Sequence, residues 1–173
     1  MDARNALRDV ERKKAERTNG FSKFLAGMQS IGTLTKGRAL LSKKPLEALA
    51  AAEEVLSLNL YSPSGLKLLM DAGKSNETPF IEVEAMELMT EMSPTNESYL
   101  NNLADRYKEL GDGRNYLKIR QKISALHPDN LELQGALREA AAIATMEAGG
   151  WDSNSEQSFA EKIKKTDDKK VDS

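Results

Sequence analysis

Cysteine is absent from the 173-residue sequence, which removes disulfides, thiolate metal cages and cysteine nucleophiles together. Histidine and tryptophan each occur once and aromatics make up only 5% of the chain, too few for an aromatic-rich sandwich or barrel core. Long apolar runs are missing as well. The best candidate, Phe21 to Leu41, is broken by Lys23, Lys36 and Arg38, so it does not supply the roughly 20 apolar residues that a membrane helix needs. Met1 to Gly20 carries Arg4, Arg8, Arg12, Lys13, Lys14 and Arg17 in place of an apolar stretch and a small-residue cleavage site. No export signal is expected, and the cytoplasm is the default address.

What is present is 39% hydrophobic and 30% charged sequence, enough for one domain of solvated helices with arms at its ends. Charge is unevenly placed. Met1 to Arg38 holds 9 basic and 4 acidic residues, whereas Ala39 to Gly150 holds 11 basic and 17 acidic ones. A basic arm precedes an acidic body.

The five prolines, Pro45, Pro63, Pro79, Pro94 and Pro128, punctuate the chain where helices would begin, because proline is tolerated only outside a helix or in its first turn. Between them apolar residues recur at three- and four-residue steps. Leu46, Leu49, Ala52, Leu56 and Leu60 form one stripe; Ile81, Ala85, Leu88 and Met92 form another. Strand-like alternation does not occur, so the fold class is all-α.

Two boundaries look alike, Met92-Ser93-Pro94-Thr95-Asn96 and Leu126-His127-Pro128-Asp129-Asn130, and they lie 34 residues apart. Within that window Leu100, Leu103, Ala104 and Tyr107 line one helix, Gly111-Asp112-Gly113 makes a turn, and Tyr116, Ile119 and Ile123 line a second. This window resembles a tetratricopeptide repeat, whose pattern of small residue, tyrosine and closing proline matches Ala104, Tyr107 and Pro128. Tyr116 stands where that family's second helix usually carries alanine, and its bulk is expected to widen the crossing. Ser30 to Ser62 resembles a divergent earlier hairpin with Ala48 as its small residue, and Pro63 to Ser93 another. From Pro63 to Pro94 is 31 residues, so a short helix that loops out at Gly73-Lys74-Ser75-Asn76 is expected there.

The resemblance implies antiparallel helical hairpins stacked as a short right-handed α-solenoid, closed by a capping helix through Leu133, Ala136, Leu137, Ala140, Ala141 and Ala144. Three parts are expected. Residues 1–20 form a basic helical arm with a thin apolar stripe, Ala3, Ala6, Leu7 and Val10; residues 21–150 form the repeat body. Residues 151–173 form a polar, disordered tail in which Phe159 and Ile163 offer one turn of contact.

Chemistry is sparsely provided. His127, the one histidine, reads as a turn residue rather than a general base, since it sits in Leu126-His127-Pro128-Asp129-Asn130, where the resembled repeat commonly has a polar turn residue. Asp105, Glu109 and Asp112 are the nearest approach to a metal set, but they lack the alternating ligand spacing of a calcium loop. Gly111-Asp112-Gly113-Arg114 has neither the strand nor the lysine of a phosphate loop. Accordingly no catalytic residue, metal or cofactor is expected, and the chain reads as a non-enzyme.

What the resemblance implies instead is a concave groove lined by the first helix of each hairpin, exposing Lys67, Asp71, Ser98, Asn101, Asn102, Asp105, Lys108 and Glu132 to a peptide or helix of a protein partner. A carboxylate clamp for chaperone tails is mostly absent. Lys67 and Asn102 match it, but Asp71 replaces an asparagine and Glu132 and Ala136 replace basic residues, so a carboxylate-terminated ligand would be repelled. The second reading uses the basic arm with Phe21, Phe24, Leu25, Met28 and Ile31 against an anionic membrane or nucleic acid. Against it stands the reading that those apolar residues pack as an extra N-terminal helix on the first hairpin, since a stack needs its open ends covered. The arm's charge could also pair with the acidic body, within one chain or across a homo-oligomer.

Overall fold

A computed structural model describes residues 3–17 and 20–149, with side chains described from Ala6 in the first helix and from Ser30 in the second. Regular structure among the described residues is entirely α-helical. The helices are α1 (Ala3–Arg17), α2 (Gly20–Leu40), α3 (Pro45–Leu58), α4 (Pro63–Ser75), α5 (Pro79–Met92), α6 (Glu97–Glu109), α7 (Gly113–Leu126) and α8 (Leu131–Ala148). None of them is long and apolar enough to cross a membrane. The side chains of Phe21, Phe24, Leu25 and Met28, and the tail with Phe159 and Ile163, lie outside the described residues. Ile31, the last member of that apolar set, is 62% exposed.

Helix starts keep a strict period. Second helices α3, α5 and α7 begin at residues 45, 79 and 113, and first helices α4, α6 and α8 at 63, 97 and 131, so every step is 34 residues. The prolines are less regular than the helices they mark. Pro45, Pro63 and Pro79 open their helices, whereas Pro94 and Pro128 sit in turns three residues ahead of α6 and α8. The apparent 31-residue window is therefore a full one measured between unlike marks. Capping obeys the same period: the side-chain oxygens of Ser62, Asn96 and Asn130 accept from Gly65 N at 3.3 Å, Tyr99 N at 3.2 Å and Glu132 N at 3.0 Å. Each satisfies an amide that has no partner inside its helix.

The loop expected at Gly73 to Asn76 is not there; α4 continues to Ser75 and ends on Asn76, whose amide donates to Ala72 O. Gly73 explains the difference. It is buried where α4 and α5 meet, and a Cβ there would lie 3.0 Å from Glu82 N and 3.1 Å from Ile81 Cγ2. Its lack of a side chain serves close packing inside a helix rather than a turn. Gly111 is the opposite case, with φ of 73° in the turn between α6 and α7.

The chain forms two compact units, Met1–Tyr99 and Leu100–Ser173. In the first, α2 packs on α3, α3 on α4 and α4 on α5, in chain order. Ala52, Leu56, Leu66, Leu69, Ala85 and Leu88 are nearly or wholly buried there. Each large side chain so buried contributes about 1.5–3 kcal/mol. In the second unit α7 packs on α8, and Leu100, Leu103, Ala104, Tyr107, Tyr116, Ile119, Ile123 and Ala140 are buried. Within each unit this is the packing of a helical repeat, in which each hairpin hides its apolar face on the next helix.

The basic arm is part of the first unit, and it is seated by charge. Arg8 is only 2% exposed and Glu11 7%, while Leu7 and Val10, expected to form the arm's apolar stripe against the body, are 49% and 63% exposed. Ala6 is exposed too, and the side chain of Ala3 lies outside the described residues. The inward face instead runs through Arg8, Glu11, Arg12 and Ala15, the helical spacing of a single stripe.

Candidate functional site

In the second unit the expected groove residues of α6 form a paired polar platform. Leu100, Leu103, Ala104 and Tyr107 turn inward, which leaves Asn101, Asp105 and Lys108 together on an outer face one and two turns apart. Arg120, on α7, ties the first two: Nη1 donates to Asn101 Oδ1 at 2.7 Å and Nη2 to Asp105 Oδ1 at 2.8 Å. Lys108 Nζ donates to Glu139 Oε1 on α8 at 2.7 Å. Beneath lies Tyr116, 1% exposed, with the Arg120 guanidinium 5.3 Å and the Lys108 ammonium 5.7 Å from its ring centre. Both cations fall within the range at which an aromatic face attracts positive charge.

Electrostatics reinforce this arrangement. The hydrogen bond from Lys108, followed by its charge, holds the Glu139 carboxyl below the usual glutamate range, and the same bond raises the Lys108 ammonium. Asp105 is 61% exposed at its side chain, so it faces solvent while Arg120, at 15%, is mostly covered. What results is a strip of paired acceptors and one ammonium around a buried ring.

The other expected groove residues are distributed along the same set of helices. Lys67, exposed, and Asp71, half-buried, lie one turn apart on α4 in the first unit. Ser98 and Asn102 are exposed on α6, and Glu132 is exposed in the first turn of α8. Asp71, Asp105 and Glu139 occupy one phase of the 34-residue period, on α4, α6 and α8. Glu139 was therefore legible from the repeat, yet sequence reasoning missed it, along with Arg120 and the role of Tyr116 as a ring under two cations. One cleft of the first unit, about 620 Å³, lies between α2 and α3 and is lined in part by Thr33, Lys36, Leu40, Glu47 and Glu54. No expected groove residue borders it.

The acidic residues that came closest to a metal set are committed to separate partners. Asp105 pairs with Arg120, Glu109 with Arg106 at 2.8 Å, and Asp112 caps α7 through Asn115 N at 3.0 Å. His127 ends α7, its amide donating to Ser124 O at 3.2 Å and its carbonyl accepting from Asn130 N at 3.1 Å.

A second charged constellation, not foreseen as a site, holds α1. Arg8 donates to Glu84 on α5, to Glu53 Oε2 on α3 at 2.7 Å and to Glu11 Oε2 at 2.6 Å. Burial alone would lower the guanidinium's affinity for its proton, but the hydrogen bonds to Glu84 and Glu11 and the charge of Glu53 outweigh it and raise it further. Arg12 follows one turn later, reaching Glu91 Oε1 at 2.9 Å, a carboxylate that also accepts from Tyr61 Oη at 3.3 Å. Lys14 Nζ donates to Ser57 O at the end of α3, 2.8 Å away. Among the described residues no three His, Asp or Glu side chains are placed to hold a metal ion. Neither a family model nor a curated protein matches the chain.

Proposed function

We propose that the chain is a non-enzymatic protein-interaction module of the tetratricopeptide kind, working in the cytoplasm, in which the first helices of successive hairpins present a groove to a peptide or helix of a partner. The observation that carries this reading is the 34-residue phase shared by helix starts, caps and the acidic positions Asp71, Asp105 and Glu139. It places an acidic residue at one phase of α4, α6 and α8. A ligand that meets it finds side chains already ordered by Arg120 and Tyr116, which lowers the entropy lost on binding. Peptide backbone and side-chain amides or hydroxyls are the matching chemistry. A C-terminal carboxylate is not, since Asp71, Asp105 and Glu132 would repel it.

Arg8, Arg12 and Lys14 are engaged with α3 and α5, which commits three of the arm's basic side chains within the chain and favours the groove over that second reading. Crosslinking capture of partners by the full chain, compared with Lys67→Glu, Asn101→Ala and Asp105→Lys combined, tests it. Loss of the captured set supports the groove; an unchanged set refutes it.

A further inference from the structure

The seating of α1 is inverted relative to a permanent core helix. A helix that belonged to the core would turn Leu7 and Val10 inward, because each large apolar side chain buried contributes about 1.5–3 kcal/mol. Here both are at least 49% exposed and the buried stripe is Arg8, Glu11, Arg12 and Ala15. Ion pairs at an interface return little net free energy once desolvation is subtracted, so such a helix is held specifically but not tightly.

The seat belongs to the body. Glu53 comes from α3 and Glu84 and Glu91 from α5, and the Ser57 carbonyl lies at the C-terminal end of α3, where the helix dipole favours a cation. Both oxygens of Glu53 accept from one guanidinium nitrogen, at 2.8 Å and 2.7 Å. Arginines one helical turn apart are thus read by carboxylates on alternate helices, with a lysine half a turn further on meeting a helix end. Charge complementarity and helical spacing define the occupant that fits.

We propose that the α3–α5 face is a docking site for a basic helix carrying arginines one turn apart, and that α1 is its built-in occupant, displaced when a partner helix of that chemistry binds. Tethering gives α1 an effective concentration on the order of millimolar, so a partner must outcompete a local ligand rather than fill an empty surface. The site lies on second helices, α3 and α5, and stands independently of the groove on the first helices.

The test uses the full chain and a fluorescent peptide of residues 2–17. The wild-type chain, its seat filled, binds the peptide weakly; Arg8→Glu with Arg12→Glu, which repels α1 from the seat, binds it at least about tenfold more tightly. That binding weakens as salt rises from about 0.05 M to about 0.5 M, and disappears when Glu53→Lys and Glu91→Lys are added. Equal affinity for wild type and variant, or binding that survives the seat substitutions, overturns the proposal. So does a wild-type dimer that Arg8→Glu converts to monomer, which would seat a second copy's α1. Should the variant lose its circular-dichroism signal, hydrogen exchange on the wild type decides: high salt must expose the amides of Leu7 to Arg17 while α4 and α5 stay protected. Matching protection of α1 and the core would refute a displaceable helix.

Discussion

Arg120 and Tyr116 stack one turn apart on α7, guanidinium to ring centre 5.3 Å, and that contact aims Arg120 at both Asn101 and Asp105. The ring orders the arginine, and the arginine orders the face of α6. A planar guanidinium can do this because it stacks through its face and donates through its edge.

Arg120→Met keeps the aliphatic bulk over Tyr116 but loses the fork. Since Asp105 is largely exposed, the pair itself is worth little, and chemical denaturation should show a loss of about 1 kcal/mol. Solution NMR should show Asn101 and Asp105 side chains becoming mobile. A variant in which they stay ordered would mean Tyr116 and the helix, not Arg120, fix this face.

Arg8→Ala and Leu69→Ala separate the arm from the body. Leu69 is fully buried in the first unit, and its truncation should cost about 2–5 kcal/mol and lower the main thermal transition. Losing Arg8 leaves Glu11, Glu53 and Glu84 facing one another, yet the damage is capped by the free energy with which α1 docks, because the arm can detach locally. Exchange of α1 amides should rise at least about tenfold with the main transition moved by only a few degrees. A collapse of the whole transition would show α1 to be integral.

Lys108 and Glu139 set a pH window. The lowered Glu139 carboxyl contributes above the ordinary glutamate value near 4.3, and that contribution is lost as pH falls through its folded value. The raised Lys108 ammonium contributes below the ordinary lysine value near 10.4 and is lost as pH rises through its own. Carboxyl NMR titration should place Glu139 below about 4.3, and Lys108→Met should raise it toward that value. An identical midpoint in both proteins would dissolve the pair.

Gly73 permits the close approach of α4 to α5. Alanine gains up to about 1 kcal/mol of helix propensity, but its Cβ meets backbone at Glu82 N, so Gly73→Ala should be near neutral or destabilising by about 1 kcal/mol. Gly73→Val adds branched bulk and should cost about 2–3 kcal/mol by urea unfolding. A stabilised valine variant would contradict the close packing described here.

Much of the fold was legible because its signals are local. Leu100, Leu103, Ala104 and Tyr107 against Tyr116, Ile119 and Ile123 carry a helical period that needs no tertiary knowledge, and these residues are buried as expected. Proline misled where it stood for a helix start, since Pro63 is the first residue of its helix and Pro94 lies in a turn; the cap Asn96 was the better mark. The arm misled for a different reason. Leu7 and Val10 outrank Arg8 and Glu11 in any apolar pattern, and only the positions of Glu53 and Glu84, some 45 and 76 residues away, decide that the charged stripe goes inward. Arg120 was hidden likewise, because an arginine on a helix reads as solvated until its neighbours on α6 are known.

Oxygen-bearing caps at residues 62, 96 and 130 sit immediately before helices in one phase, so these junctions share one capping position. A block excised from Pro63 through Asn96 would bring Ser62 directly ahead of Glu97, handing α6 a hydroxyl in place of an amide. Copying the block would do the reverse. At the level of the cap, then, each junction would keep an oxygen acceptor ahead of its helix when one whole 34-residue block is removed or copied.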